Sequence, residues 1–273
     1  MKRKLFCEIS PLTYRLSTWR CILQRRLNDL VHCRRTAKEI SPSPLPVKIC
    51  RHNSLIRRQL GNVDMTLQEN KAVNLALACK KVSGIIIRPG ETFSFWHLVG
   101  SPSPKKGYLN GLTIKNGHPS SGIGGGMCQF TNLIHWMVLH SDLTITEHHH
   151  HDGLDIFPDF NRQIPFGTGT SILYNYLDYR FKNETDHTYQ LITYLSDRYL
   201  CGELLSDKPQ QFSYHICSED EFFSREGDSV FRNSKVYRLK VDKASGRRLE
   251  KKLIRQNHAR VMYDTANLEI RNK

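Results

Sequence analysis

Gly124-Gly125-Gly126-Met127-Cys128-Gln129-Phe130-Thr131-Asn132-Leu133-Ile134-His135-Trp136-Met137-Val138-Leu139-His140 is the stretch from which the rest of the chain is read. Three consecutive glycines permit backbone conformations and close approaches that a Cβ blocks. After them Met127, Phe130, Ile134, Met137 and Val138 recur at helical spacing and define one apolar face. A buried helix is therefore expected, with Cys128 in its first turn. Unpaired amides and the positive end of the dipole favour a thiolate there. Leu143-Thr144-Ile145-Thr146 then reads as a strand, followed by Glu147 and four histidines, His148 to His151. A cysteine at a helix start and a histidine on the next strand is an arrangement that thiol nucleophiles use.

At 273 residues, 39% hydrophobic and 24% charged, the chain can bury a sizeable core. Its charge is uneven: residues 1–60 carry a net +11, residues 232–273 a net +9, and the middle a net −6. Two basic ends on a mildly acidic body suggest an anionic partner, a membrane surface or a polyanion, or charge that merely solvates. The eight cysteines show no C-x-x-C pair, which argues against a disulfide framework or a zinc finger. Glu8, Arg15 and Arg20 interrupt any signal-peptide core after the basic start, and no run approaches the length of a membrane span. A cytoplasmic protein with reduced thiols is expected, possible membrane association aside.

Residues 12–35 read as a basic amphipathic helix, with Leu12, Leu16, Trp19, Leu23, Leu27 and Leu30 on its apolar stripe. Packing on the main domain is the favoured reading and a membrane interface the alternative. The prolines of residues 41–46 make a linker. The expected organisation is an N-terminal helical segment and linker over 1–45, a core domain over 46–205, and a polar linker with a basic β-hairpin over 206–273. Residues 66–83 read as a helix opened by a Thr66–Glu69 capping box. Strands are expected at 85–87, 92–96, 111–115, 170–181, 188–195 and 199–205. Ser206 to Asp228 is polar and weakly patterned, and 229–241 with 247–263 read as the hairpin. The fold class is α+β, a mostly antiparallel sheet packed with helices.

Several of these segments also carry a likeness. Asn70 to Ala78, Pro89-Gly90-Glu91-Thr92-Phe93-Ser94-Phe95, Gly124 to Gln129, Glu147 with His151, Pro165-Phe166-Gly167 and Phe181-Lys182-Asn183 resemble the VanW family, in the family's order. The resemblance implies a link to vancomycin resistance and the bacterial envelope, without an established biochemical activity. Many members have an acidic residue in a Gly-x-Asp-Ala-Thr-Val pattern. Here Gly167-Thr168-Gly169-Thr170-Ser171-Ile172 puts Gly169 at that position.

Three chemistries compete. In the leading one Cys128 is a nucleophile activated by His151 or His149, with Asp155 (or Asp152 or Asp159) orienting the imidazole. Gly125, Gly126 and Gln129 would then stabilise an oxyanion. Acyl transfer or amide hydrolysis on a small peptide, such as a peptidoglycan precursor, would suit the family's setting, and no cofactor is needed. In the second, zinc is held by His149, His151, Asp155 and Cys128. In the third, the glycines serve close packing and the protein is a non-catalytic binder or scaffold. His135 and His140 read as interface and helix-end residues, and Asp178 as the partner of an arginine such as Arg180. Nucleic acid is not expected, because no binding signature accompanies the basic hairpin.

Overall fold

The glycine run forms a turn in which Gly124 and Gly126 take φ of +73° and +99°. The computed structural model of the chain describes residues 5–31, 35–57, 64–115, 118–150, 153–156, 158–159, 164–174 and 176–271. The first half holds α1 (Pro11–Val31), β1 (Val47–Leu55), α2 (Met65–Val82), β2 (Ile85–Ile87), β3 (Thr92–Ser94), α3 (Phe95–Val99), β4 (Asn110–Lys115) and β5 (His118–Ile123). The second half holds α4 (Met127–Leu139), β6 (Thr144–Glu147), β7 (Leu154–Asp155), β8 (Arg180–Lys182), β9 (Tyr189–Leu195), β10 (Tyr199–Ser206), β11 (Phe212–Glu226), β12 (Ser229–Asp242), β13 (Arg248–Val261) and β14 (Ile270–Arg271). The fold is α+β and its sheets are mostly antiparallel.

A four-stranded sheet runs in the order β1-β10-β9-β2. α4 lies over β1 and β10, α2 lies over β9, and the two helices touch. The crossing of α4 and β10 depends on Gly202, where a Cβ would fall 2.7 Å from Met137 Cε and 2.8 Å from Leu133 Cδ2. Phe130, Leu133, Ile134, Met137 and Val138 are buried along this face of α4. Removing five such side chains from water stabilises the fold by roughly 10 kcal/mol before conformational entropy is counted.

The glycine turn is clamped from α2. Asn74, fully buried, donates to the carbonyls of Leu109 and Gly125 at 3.0 Å each and accepts from the Leu109 amide at 2.8 Å. Gly125 packs on Gly111 so closely that a Cβ would lie 2.2 Å from its carbonyl carbon. A small sheet β3-β8-β6 holds the far side, and the third sheet runs β14-β11-β12-β13-β7. Its parallel β13–β7 pairing joins the C-terminal strands to the histidine segment. Arg238 of β12 donates to the carbonyls of Leu139 and Ser141. That sets a guanidinium at the C-terminus of α4, where the helix dipole favours a cation.

Several expectations change. The segment 170–181 is a strand only from Arg180 onward. Its earlier amides are satisfied by neighbours outside any ladder: Thr170 by Asn132 Oδ1, Ser171 by the His149 carbonyl, Asp178 by Glu147 and Tyr179 by Asp178. Apolar residues on both sides thus report an irregular segment, buried at its two ends and with Leu173 exposed in its middle, instead of a central strand. The polar stretch after Ser206 contains β11, so the C-terminal hairpin is a three-stranded meander. Phe95 and Trp96 begin α3, with Ser94 accepting from the His97 amide. The cap of α2 is Asp64, which accepts from the Thr66 amide at 2.8 Å.

Candidate functional site

Cys128, Thr131, Asn132 and His135 stand at i, i+3, i+4 and i+7, so they share one face of α4. That face meets residues 168–172 and the histidine segment. The Thr131 and Thr170 hydroxyls are 2.5 Å apart, and Asn132 Oδ1 accepts from the Thr170 amide at 2.6 Å and its hydroxyl at 2.8 Å. His135 is 3% exposed, stacks on His148 at 4.3 Å between ring centroids, and shares a 3.0 Å hydrogen bond with the Tyr179 hydroxyl. His148 Nε2 lies 2.9 Å from the Gly169 carbonyl, which can only accept, so Nε2 carries a hydrogen. A Cβ at Gly169 would sit 3.7 Å from Asn132 Oδ1 and 3.9 Å from His150 Nε2. An aspartate side chain there would come within reach of both.

Burial and the neighbouring His148 and His150 push the His135 pKa well below its ordinary value, so this imidazole is neutral at pH 7. Burial pushes the Cys128 thiol up, against smaller opposing contributions from the Ile172 amide and its own backbone. The first turn of α4 therefore holds a protonated thiol at neutral pH, and the expected thiolate is not what the burial of this site favours.

Across the described histidines His148, His149 and His150 the rings alternate, and His149, expected to serve Cys128, is turned toward Glu147. His148 and His150 face α4 and Gly169, while His149 Nε2 lies 2.9 Å from Glu147 Oε1 on the other side. Glu147 belongs to a charged cluster. Arg25 of α1 grips it with two hydrogen bonds of 2.6 and 2.8 Å, the Asp178 amide donates to it, and Arg180 Nε is 3.5 Å away. Burial opposes the carboxylate's charge, yet Arg25, the Asp178 amide and His149 hold its pKa down at about 2. Asp178 takes Arg180 as partner at 2.8 Å, as the sequence suggests.

The other expected residues have these surroundings. Asp155 is 2% exposed, accepts from Tyr263 at 2.9 Å and lies 3.4 Å from Arg232. Gln129 donates its carboxamide to Ser54 Oγ at 2.9 Å and to the Leu55 carbonyl at 2.8 Å, so β1 engages the group assigned to an oxyanion. Gly125 and Gly126 serve the close packing of the turn; Lys71 occupies the space a Cβ at Gly126 would need. His151 and Asp152 lie outside the described residues. Among the described residues no group of three or more His, Cys, Asp or Glu side chains is arranged to hold a metal ion. The seven described cysteines are free thiols.

Beside His150 the surface opens into a cavity of about 340 Å³ lined by His150, Gly153, Phe166 and β13 residues Arg255 to Ala259. Arg255 Nη2 is 3.4 Å from His150 Nδ1. Asn257 donates to the Phe166 carbonyl at 2.9 Å and fills the place of a side chain at Gly167, whose φ is +90°. The Pro165-Phe166-Gly167 motif is thereby locked onto β13.

The chain belongs to the VanW family. The family description "VanW like protein" matches residues 70–205. The chain is 35% identical over 227 residues to the vancomycin B-type resistance protein VanW of Enterococcus faecalis (strain ATCC 700802 / V583), covering 83% of this chain and 82% of that protein. It is 29% identical over 119 residues to the uncharacterized protein YoaR of Bacillus subtilis (strain 168), covering 42% of this chain and 36% of YoaR. No solved structure matches. No helix among the described residues is long and apolar enough to cross a membrane.

Proposed function

We propose that the protein is an accessory of glycopeptide resistance that binds a peptidoglycan-type peptide through its free carboxylate end, in the cavity between the histidine segment and β13. The observation that carries this reading is the cavity wall itself. Arg255 and His150 stand side by side at one end, and Phe166 supplies an apolar surface along it. A guanidinium carries donors suited to a carboxylate, and Asn257, which accepts from Arg255 Nε at 3.3 Å, helps fix its orientation. The likeness to the enterococcal VanW protein supports the resistance setting. The test is calorimetric titration of the full chain with a wall-precursor pentapeptide and with its C-terminal amide. The free acid should bind and the amide should bind at least about tenfold more weakly, and Arg255→Ala should lose a similar factor. Equal binding of the two peptides, or full affinity in Arg255→Ala, would remove the reading.

Acyl transfer by Cys128 is the second reading. It is favoured by the Ile172 amide directed at the sulfur and by the sulfur's position in the first turn of α4. A resting thiol would then need a bound substrate or an imidazole to take its proton.

A further inference from the structure

α1 is 21 residues long, about 30 Å, and contains no buried residue. Leu12, Leu16, Trp19, Leu23, Leu27 and Leu30 line one face and are 41–74% exposed. Leu5, Phe6 and Ile9 in the turn before it are 57–63% exposed and lengthen the apolar surface. On the other side of the helix Cys21, Ile22, Arg25 and Asp29 are half-buried, and polar ties fasten it to the body. Arg25 bonds Glu147 and the Tyr176 carbonyl, and Asp29 takes two bonds from Arg180 at 2.6 and 2.9 Å. These ties present the apolar stripe outward instead of inward.

We propose that this face of α1 docks on an anionic lipid bilayer, lying in the headgroup layer. Charge selects lipid over other apolar partners. Arg15 and Arg26 border the stripe on one side and Arg20 on the other, and all three are exposed. Residues 5–31 contain just two carboxylates. Asp29 is engaged by Arg180, and Glu8 accepts from the Leu5 amide in the preceding turn. A second copy of α1 would bring arginine against arginine with no acid on that face to pair. Phosphate headgroups supply the missing anion, arginine stems can snorkel toward them, and Trp19 suits the interface. Docking here would hold the peptide cavity and the charged cluster near a membrane without a span.

The test is flotation of the full chain with phosphatidylcholine vesicles, with and without phosphatidylglycerol. Trp19 emission serves as a second readout beside Trp96 and Trp136. The chain should float with the anionic vesicles and its emission should shift to the blue. Leu16→Ser/Trp19→Ser/Leu23→Ser should cut partitioning by at least about tenfold, since each removes exposed apolar area. Arg15→Gln/Arg20→Gln/Arg26→Gln should abolish the preference for anionic lipid. All six side chains are exposed, so both variants should keep the parent melting temperature. Three results would overturn the proposal. One is no flotation with anionic vesicles; another is undiminished flotation of the serine variant, which would point to the basic C-terminal strands. The third is a solution dimer that the serine variant dissolves, which would make a second copy the occupant.

Discussion

Helix α4 buries Met127, Phe130, Leu133, Ile134, Met137 and Val138 against the sheet, whereas α1, with an apolar stripe of similar regularity, buries nothing. The periodicity is the same and the outcome opposite. α4 is drawn in by clearance: Gly202 below it and Gly125 at its entrance let backbone and side chains approach closely. α1 meets the body through Arg25 and Asp29, and these lie on the side away from its leucines. A stripe at helical spacing thus announces an apolar face, and the neighbours determine whether protein covers it.

Substitutions on the two stripes should break this parallel most sharply. Phe130→Ala should destabilise the fold by about 4 kcal/mol in urea unfolding, because a fully buried ring leaves a cavity. Leu16→Ala in α1 should stay within about 0.5 kcal/mol. Gly125→Ala should cost about 3 kcal/mol by the same measurement, since the added Cβ meets the Gly111 backbone, which cannot swing away. Arg25→Ala should cost about 1 kcal/mol, because Glu147 keeps the Asp178 amide, His149 and Arg180. Its clearer signature should be faster amide hydrogen exchange confined to α1, with α4 unchanged.

pH separates the helices as well. His135 has its pKa lowered in the fold, so the unfolded chain takes up a proton first as pH falls. Stability should be full above about pH 6.5 and decline below it, and His135→Gln should flatten that decline in denaturant midpoints. Glu147 is shifted down in the fold, which makes its contribution complete above its ordinary range. That contribution is lost as pH falls from about 4.5 through about 2. α1 exchange should therefore quicken under acid. The smallest effect on stability, within about 0.5 kcal/mol, is expected for Gly169→Asp, because the space beside Asn132 and His150 accommodates it. The new carboxylate should raise the His150 pKa in imidazole NMR titration.

α1, α2, α4 and the hairpin of β9 and β10 were legible because spacing and turn residues mark them locally; the single turn of α3, read as strand, was not. β11 was not: Ser213 to Ser224 alternates weakly, and its place depends on pairing with β12. The segment before Arg180 misled because Ile172, Leu173, Leu177 and Tyr179 look like a two-faced strand. Side chains from α4 and β6, absent from any local window, take up its amides. At the site, Cys128 and the histidines drew notice, but Thr131, Asn132 and His135 followed the same i, i+3, i+4, i+7 rule as the apolar residues and could have been read from it. Arg255 could not, since only the β13–β7 pairing brings it to His150. The parity of the histidines turned on one residue, and in the irregular segment that follows β6 at Glu147 no local signal sets it.

The most direct test of the site is the pH dependence of Cys128 alkylation by iodoacetamide in the full chain, read peptide by peptide with the other cysteines as internal controls. A peptide-binding protein with a half-buried, protonated Cys128 thiol predicts slow labelling that rises only above the ordinary thiol range, roughly pH 8.5, and does not respond to His148→Ala or His150→Ala. Fast labelling with an inflection near or below neutrality, lost in either histidine variant, would contradict it and make Cys128 the nucleophile of an acyl-transfer enzyme.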